Sequence, residues 1–232
     1  MKTKFFKLAP VLAVAIFLMV MVLGNAYGFG LKNLTGGEKN AKETLSIDSL
    51  VKNEADLCKR LYSALAEINE AQICFAKALK NKQEVDLLES VRKSITNGNV
   101  QDSDALIYVM GETLTASEAQ NEQLKKMKTF DEAKKRELRK GLLPYASGTA
   151  QSVLLGKEFA DHLSSSKDAV KEAGITGAMT VKKKLAITLR VAPNVPKLGN
   201  NLVSTTRTAI EIAKKADIPV EDAEEAIKDL EL

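Results

Sequence analysis

Residues 46–80, with the sequence SIDSLVKNEADLCKRLYSALAEINEAQICFAKALK, decide the fold class of this chain. Their apolar side chains recur at intervals of three, four and seven positions, which places them on one face of an α-helix. The residues of this face are Leu50, Leu57, Leu61, Ala64, Ile68, Phe75 and Leu79. The pattern predicts one long amphipathic helix.

Three further helical patterns follow along the chain. A second helix is predicted over 83–95, ending at Asn97-Gly98, where a glycine can supply a left-handed stop. A third helix is predicted to begin near residues 102–104. Its polar end, 117–128, is expected to face solvent. Thr129 and Glu132 have the spacing of a capping box, with Thr129 at the N-cap, and predict a basic helix to about Arg139.

The C-terminal half is also predicted to be helical. Residues 164–166 are three serines, which we expect to break and recap the chain. Residues 181–191 alternate as a strand would, but a lone strand among helices has no partner, so a helix is preferred. A long helix after Pro196 and a short acidic one after Pro219 complete an all-α bundle of about five to seven amphipathic helices.

The N-terminus has the order of charges typical of a secretory signal. Lys2, Lys4 and Lys7 precede an uncharged run over 8–23, and small residues near Ala26 and Gly28 suit signal cleavage. The run has sixteen residues, whereas a membrane-spanning helix needs about 20. A cleaved signal peptide over 1–28 is therefore favoured over a permanent anchor, and the mature protein is expected to be periplasmic or extracellular.

Residues 29–45 contain three glycines and three lysines, which indicates a flexible tether. The remaining residues, 46–232, are predicted to form the helical domain. Whether this domain is one unit or two halves, 46–128 and 129–232, is left open by the sequence.

Removing the leader changes the charge of the protein. The whole chain has 34 basic and 30 acidic residues, and three of the lysines precede residue 8, which leaves 31 against 30. A nucleic-acid-binding domain should carry a strong basic excess. The near-neutral mature chain predicts no nucleic-acid partner.

Motifs for catalysis and cofactors are missing from the sequence. No phosphate loop or nucleophile elbow is present, and His162 is the single histidine. Glu158 and His162 share a helix face, but a tight metal site needs three or four ligands. We predict no catalytic residue, no cofactor and no metal, and an ordinary Glu158–His162 helical pair.

The two cysteines, Cys58 and Cys74, fall within the long N-terminal helix. Sixteen helical positions separate their thiols by about 24 Å, whereas bridged Cα atoms lie about 6 Å apart. An intrachain disulfide is excluded unless the helix breaks; free thiols or an intermolecular bridge remain.

Two surface features are candidate interaction sites. The basic segment 125–140 predicts an interaction surface formed by Lys134, Lys135, Arg136, Arg139 and Lys140. The uncharged segment 141–156 begins a series of small residues at four-residue spacing, predicting a shallow groove for close helix packing at Gly148, Ser152, Gly156 and Ala160.

These observations favour an exported, non-enzymatic helical protein of the bacterial cell envelope that acts through protein–protein contacts, as an adaptor, chaperone-like holder or assembly component. The alternative is a membrane-surface protein whose segment 125–140 docks on anionic lipid while 141–156 inserts. An enzyme that uses His162 or scattered carboxylates is the third hypothesis. A second copy of the chain is a further partner that the sequence leaves open.

Overall fold

A computed structural model describes residues 46–97 and 102–230. The predicted signal peptide and tether lie outside these residues. The described helices are α1 (Ile47–Ala78), α2 (Lys82–Asn97), α3 (Ser103–Lys125), α4 (Glu132–Glu172), α5 (Gly174–Lys184), α6 (Ala186–Val191), α7 (Val195–Lys215) and α8 (Glu221–Ile227), with a 3-10 turn (Ala192–Asn194) before α7. Within these residues the all-α prediction is confirmed, and the α-helices number seven if α5 and α6, separated only by Leu185, are counted as one.

Helices α1 and α4 form the antiparallel centre of the bundle, and theirs is the most extensive helix–helix contact. Lys80, just past the end of α1, pairs with Asp131 at the start of α4, whereas Leu50 clusters with Ala169 at the other end. Helix α7 packs on α4 and α3, and α2 packs on α1. All of these helices belong to one compact unit, Thr44–Leu232.

The core follows the apolar face predicted for α1. Leu50, Leu57, Leu61, Ala64, Ile68 and Phe75 are buried, and Leu79 packs at the margin. Phe75 meets the ring of Tyr145 with centroids 5.3 Å apart. At about 25 cal/mol per Å² of apolar surface, this burial is the main stabilising contribution to the fold.

Helix α4 differs from the sequence prediction at its start and in its length. Asp131, not Thr129, is the N-cap, because its carboxylate accepts a hydrogen bond from the Lys134 amide at 2.8 Å. The helix then runs through Pro144 and through 164–166 without a break. Buried Phe159, Ser166 and Ala169 continue its inner face, and this packing outweighs the weak helix propensity of the serines.

The prediction that residues 117–128 face solvent is wrong for the inner face of α3. Ser117, Gln120 and Leu124 are buried. The Gln120 side-chain amide donates to the Gln72 carbonyl at 2.8 Å, and the Gln72 amide donates to the Thr113 carbonyl at 2.9 Å. Hydrogen bonds to backbone oxygens on the facing helix allow these polar groups to be buried.

Residues 181–191 are helical except for Leu185, so the predicted preference for helix over strand is confirmed. Gly174 opens α5 at φ 63°, a left-handed conformation that glycine adopts without the steric cost of a Cβ. Leu185 separates α5 from α6 and is fully buried against Leu50 and Val181. Pro196 lies in the first turn of α7, where a missing amide hydrogen costs nothing.

Candidate interaction surface

A concave surface of about 440 Å³ lies where α1 and α3 end and α4 begins. We call it the basic pocket. Its lining residues are Ala78, Leu79, Lys80, Gln123, Lys126, Met127, Lys128, Thr129 and Lys134. Four lysines therefore surround a partly apolar floor that Leu79 and Met127 help to form.

Local backbone structure positions these lysines. Lys80 has φ 58°, a left-handed conformation that turns the chain sharply after α1. Lys126 is the C-cap of α3, and Lys128 follows in the short connection to α4. Helix C-termini carry partial negative charge, so cations are stabilised at the ends of α1 and α3.

The four lysines differ in their partners. Lys80 pairs with Asp131 at 3.2 Å, and the Lys134 ammonium donates to the Thr129 carbonyl at 3.1 Å. The Lys134 amide, followed by Lys80, lowers the pKa of the Asp131 carboxyl. Lys126 and Lys128 are exposed and form no ion pair within residues 46–97 and 102–230. These two lysines are the groups most available to an anionic ligand.

The five cations predicted to form one surface are distributed around α4. Lys134 alone lines the basic pocket. Arg139 lines a separate cavity of about 200 Å³ beside Glu221 and Asp222 of α8. The others pair within their own helix: Lys135 with Glu132, and both Arg136 and Lys140 with Glu137. Sequence reasoning included Lys126 and Lys128 only as members of the basic segment 125–140. It missed Lys80, because only the fold brings the end of α1 beside the α3–α4 connection.

The predicted row of small residues faces two different neighbours. A Cβ placed on Gly148 would lie 2.7 Å from Ile68 Cγ1 of α1, whereas one on Gly156 would come no closer than 3.8 Å to α7. Ser152 is buried between these positions, and Ala160 is exposed. Gly141, seven residues before Gly148, makes the other close approach to α1 and was not predicted.

Gly141 meets Phe75, and a Cβ there would lie 2.8 Å from its ring. The seven-residue spacing of Gly141 and Gly148 could have indicated a shared face with α1, since seven residues make almost two full turns.

Glu158 and His162 do not form the pair expected from sequence. Glu158 instead accepts two hydrogen bonds from the Arg60 guanidinium of α1, at 2.6 and 2.7 Å. His162 is buried, and desolvation lowers its pKa. Its imidazole is therefore neutral at pH 7, because no carboxylate offsets the cost of charging it.

Glu54 is a buried carboxylate with a structural partner. It accepts a hydrogen bond from the Thr188 amide in the first turn of α6, at 2.7 Å. Burial raises the pKa of Glu54 in spite of this bond. Cys58, one turn further along α1, is fully buried, and desolvation raises its thiol pKa to about 12. The Glu54 side chain thus links α1 to α6, and a thiol with a pKa as high as that of Cys58 is a poor nucleophile.

Among residues 46–97 and 102–230, no group of His, Cys, Asp and Glu side chains is arranged to hold a metal ion. Within the same residues, no helix combines the length and apolar character needed to cross a bilayer.

The part of the chain that the structure describes is thus a helical bundle with a lysine-lined pocket at one end. No family model matches the chain, and comparisons with curated proteins and with solved structures found no match.

Proposed function

We propose that this chain is an exported, non-enzymatic helical protein of the bacterial cell envelope that binds a partner protein. The partner segment is acidic, and it binds in the basic pocket. The observation that carries this proposal is the pair of exposed lysines, Lys126 and Lys128, that form no salt bridge with a described residue and border a concave surface.

The pocket suits a peptide more than an isolated anion. Leu79 and Met127 are half-buried in its floor and offer apolar contact area. Interfaces combine a central apolar contact with a polar rim, and charges at the rim steer association. An acidic segment that also carries an apolar side chain would contact both the lysines at the rim and the apolar floor of the pocket.

A non-catalytic role is supported by how the buried titratable groups are used. Glu54 accepts a hydrogen bond that joins α6 to α1, and His162 and Cys58 are buried among packed helices. A general base or nucleophile has to reach its substrate. None of these three groups lines one of the surface cavities described above.

The alternative in which 141–156 inserts into a membrane is less well supported. Nine of these sixteen residues are buried in the bundle: Gly141, Leu142, Tyr145, Ala146, Gly148, Thr149, Ser152, Leu155 and Gly156. Insertion of the segment would require α4 to leave α1 and so expose the core. Self-association remains a second way in which the basic pocket could be used.

Site-specific photo-crosslinking in intact cells tests the proposal. A photoreactive side chain at position 128 of the full-length protein should capture a protein, identified by mass spectrometry, with an acidic stretch at the crosslinked site. Position 93, on the exposed side of α2, is the matched control and should not capture it.

The charge requirement is tested with polyglutamate as the probe. Lys126→Gln/Lys128→Gln should weaken polyglutamate binding to the purified protein by roughly tenfold, because rim charges contribute modestly one by one. Lys157→Gln, on the exposed side of α4, should leave binding unchanged. Equal losses in both variants, or capture only of a second copy of the chain, would contradict an acidic protein partner at this pocket.

A further inference from the structure

Helix α5 presents apolar side chains to solvent. Ile175 is 99% exposed and Met179 is 65% exposed, whereas Val181 and Leu185 hold the helix to the bundle from its other face. Isolated exposed apolar residues are common on proteins, but here two of them are one helical turn apart.

Two lysines share this outer face. At 3.6 residues per turn, Ile175, Met179, Lys182 and Lys183 fall within a sector of about 100°. Lys182 and Lys183 are exposed and form no ion pair with any described residue. The outer face of α5 therefore combines two unpaired lysines with two exposed apolar side chains.

The sequence around α5 is also positively charged. No acidic residue occurs between Glu172 and Glu211, whereas the same stretch contains Lys182, Lys183, Lys184, Arg190, Lys197 and Arg207. Lys184 and Arg190 pair with Asp48 and Asp104, which leaves Lys182 and Lys183 as the unpaired cations of this excess on α5. A long acid-free segment favours an anionic surface as its partner.

Helix α5 and the basic pocket lie near opposite ends of α1. Lys184 pairs with Asp48 at 3.5 Å, so α5 lies beside the first turn of α1. The basic pocket lies at the other end of α1, a helix of 32 residues, or about 48 Å.

We infer that α5 is a docking element for the surface of an anionic lipid bilayer. Ile175 and Met179 enter the boundary between headgroups and acyl chains, and Lys182 and Lys183 contact anionic headgroups. Shallow insertion of apolar side chains beside basic ones is the mode of peripheral amphipathic helices. This contact is independent of the acidic partner proposed for the basic pocket and leaves that pocket facing away from the membrane.

Vesicle flotation of the purified mature chain tests this inference. The protein should float with vesicles of phosphatidylglycerol and phosphatidylcholine and not with phosphatidylcholine alone, and high salt should reduce its binding. Ile175→Ser/Met179→Ser and Lys182→Gln/Lys183→Gln should each lower the partition coefficient by roughly tenfold or more. All four side chains are exposed, so circular dichroism and the thermal midpoint should be unchanged.

Two matched controls separate this surface from others. Leu87→Ser/Tyr108→Ser removes apolar groups that are 46% and 47% exposed on α2 and α3, and Lys126→Gln/Lys128→Gln removes two charges at the basic pocket. Both control variants should float as the wild type does. The inference is overturned if the wild type does not float with the anionic vesicles, if the α5 variants float normally, or if the controls lose flotation to the same extent.

Discussion

Gly148 of α4 lies against Ala64 of α1 with no space for a side chain between the two backbones. A Cβ on Gly148 would be 3.0 Å from the Ala64 carbonyl oxygen and 2.7 Å from Ile68 Cγ1. Both neighbours are buried, so neither can move without disturbing the central helix pair. This contact and the one at Gly141 set how closely α1 and α4 approach.

Gly148→Ala should therefore destabilise the protein by about 1–3 kcal/mol, because overpacking outweighs the roughly 1 kcal/mol gained in helix propensity. Gly156→Ala is the matched control, since its added methyl would meet nothing closer than 3.8 Å. That variant should be as stable as the wild type or slightly more so. Urea unfolding measures both free energies; equal stabilities of the two variants would contradict close packing at Gly148.

A buried chain of hydroxyls joins α4, α3 and α7. The Tyr145 hydroxyl lies 2.7 Å from Ser117 Oγ, which donates to Thr205 Oγ1 at 2.9 Å. Tyr145→Phe keeps the ring against Phe75 but removes one bond of this chain. We expect a loss of about 1–2 kcal/mol in the free energy of unfolding.

Tyr108→Phe provides the comparison for Tyr145→Phe, because the Tyr108 side chain is 47% exposed. It should change the free energy of unfolding by less than about 0.5 kcal/mol. If both variants have the stability of the wild type, the hydroxyl chain does not contribute to folding.

His162 should make stability depend on pH. Burial lowers its pKa below the ordinary 6.5, so below that pH the unfolded chain binds a proton that the folded protein excludes. The contribution of the neutral His162 side chain to the free energy of unfolding is complete above pH 6.5. It is lost as the pH falls towards the lowered pKa. The NMR titration of this single histidine should give a midpoint below 6.5.

The variant His162→Gln isolates this effect from other titrating groups. Burial raises the pKa of Glu54, Glu67 and Glu84, which makes stability fall as the pH rises through their range, the opposite sign. The wild type and His162→Gln both contain these carboxyls, so their effects cancel when the two free energies of unfolding are subtracted. The stability of the wild type relative to His162→Gln should decrease on acidification; a constant difference would mean that His162 is not desolvated.

The two thiols should differ in reactivity. Cys58 is fully buried with a pKa of about 12, whereas Cys74 is half-buried. Ellman's reagent should modify Cys74 first and reach Cys58 only when the bundle opens, at a rate that follows the stability of the fold. The variant Cys74→Ser leaves Cys58 to be followed alone. Fast labelling of Cys58 in that variant would contradict its burial.

Much of the fold could be predicted from local sequence. The apolar spacing of α1 identified its inner face because a helix repeats every 3.6 residues wherever it is located. The same regularity places Cys58 and Cys74 far apart on one unbroken helix, and both are free thiols. Helix ends were less predictable: Asp131 and Thr129 are both good N-caps, and only the geometry of the turn selects between them.

The sequence by itself determined the helical class, the inner face of α1 and the absence of an internal disulfide, because each depends on residues that are near one another along the chain. The tertiary structure decided which polar residues are buried, such as Ser117 and Gln120. It also decided that Glu158 pairs with Arg60. It also assembled the basic pocket from Lys80, Lys126, Lys128 and Lys134. Such sites depend on contacts between distant segments, which helix periodicity does not encode.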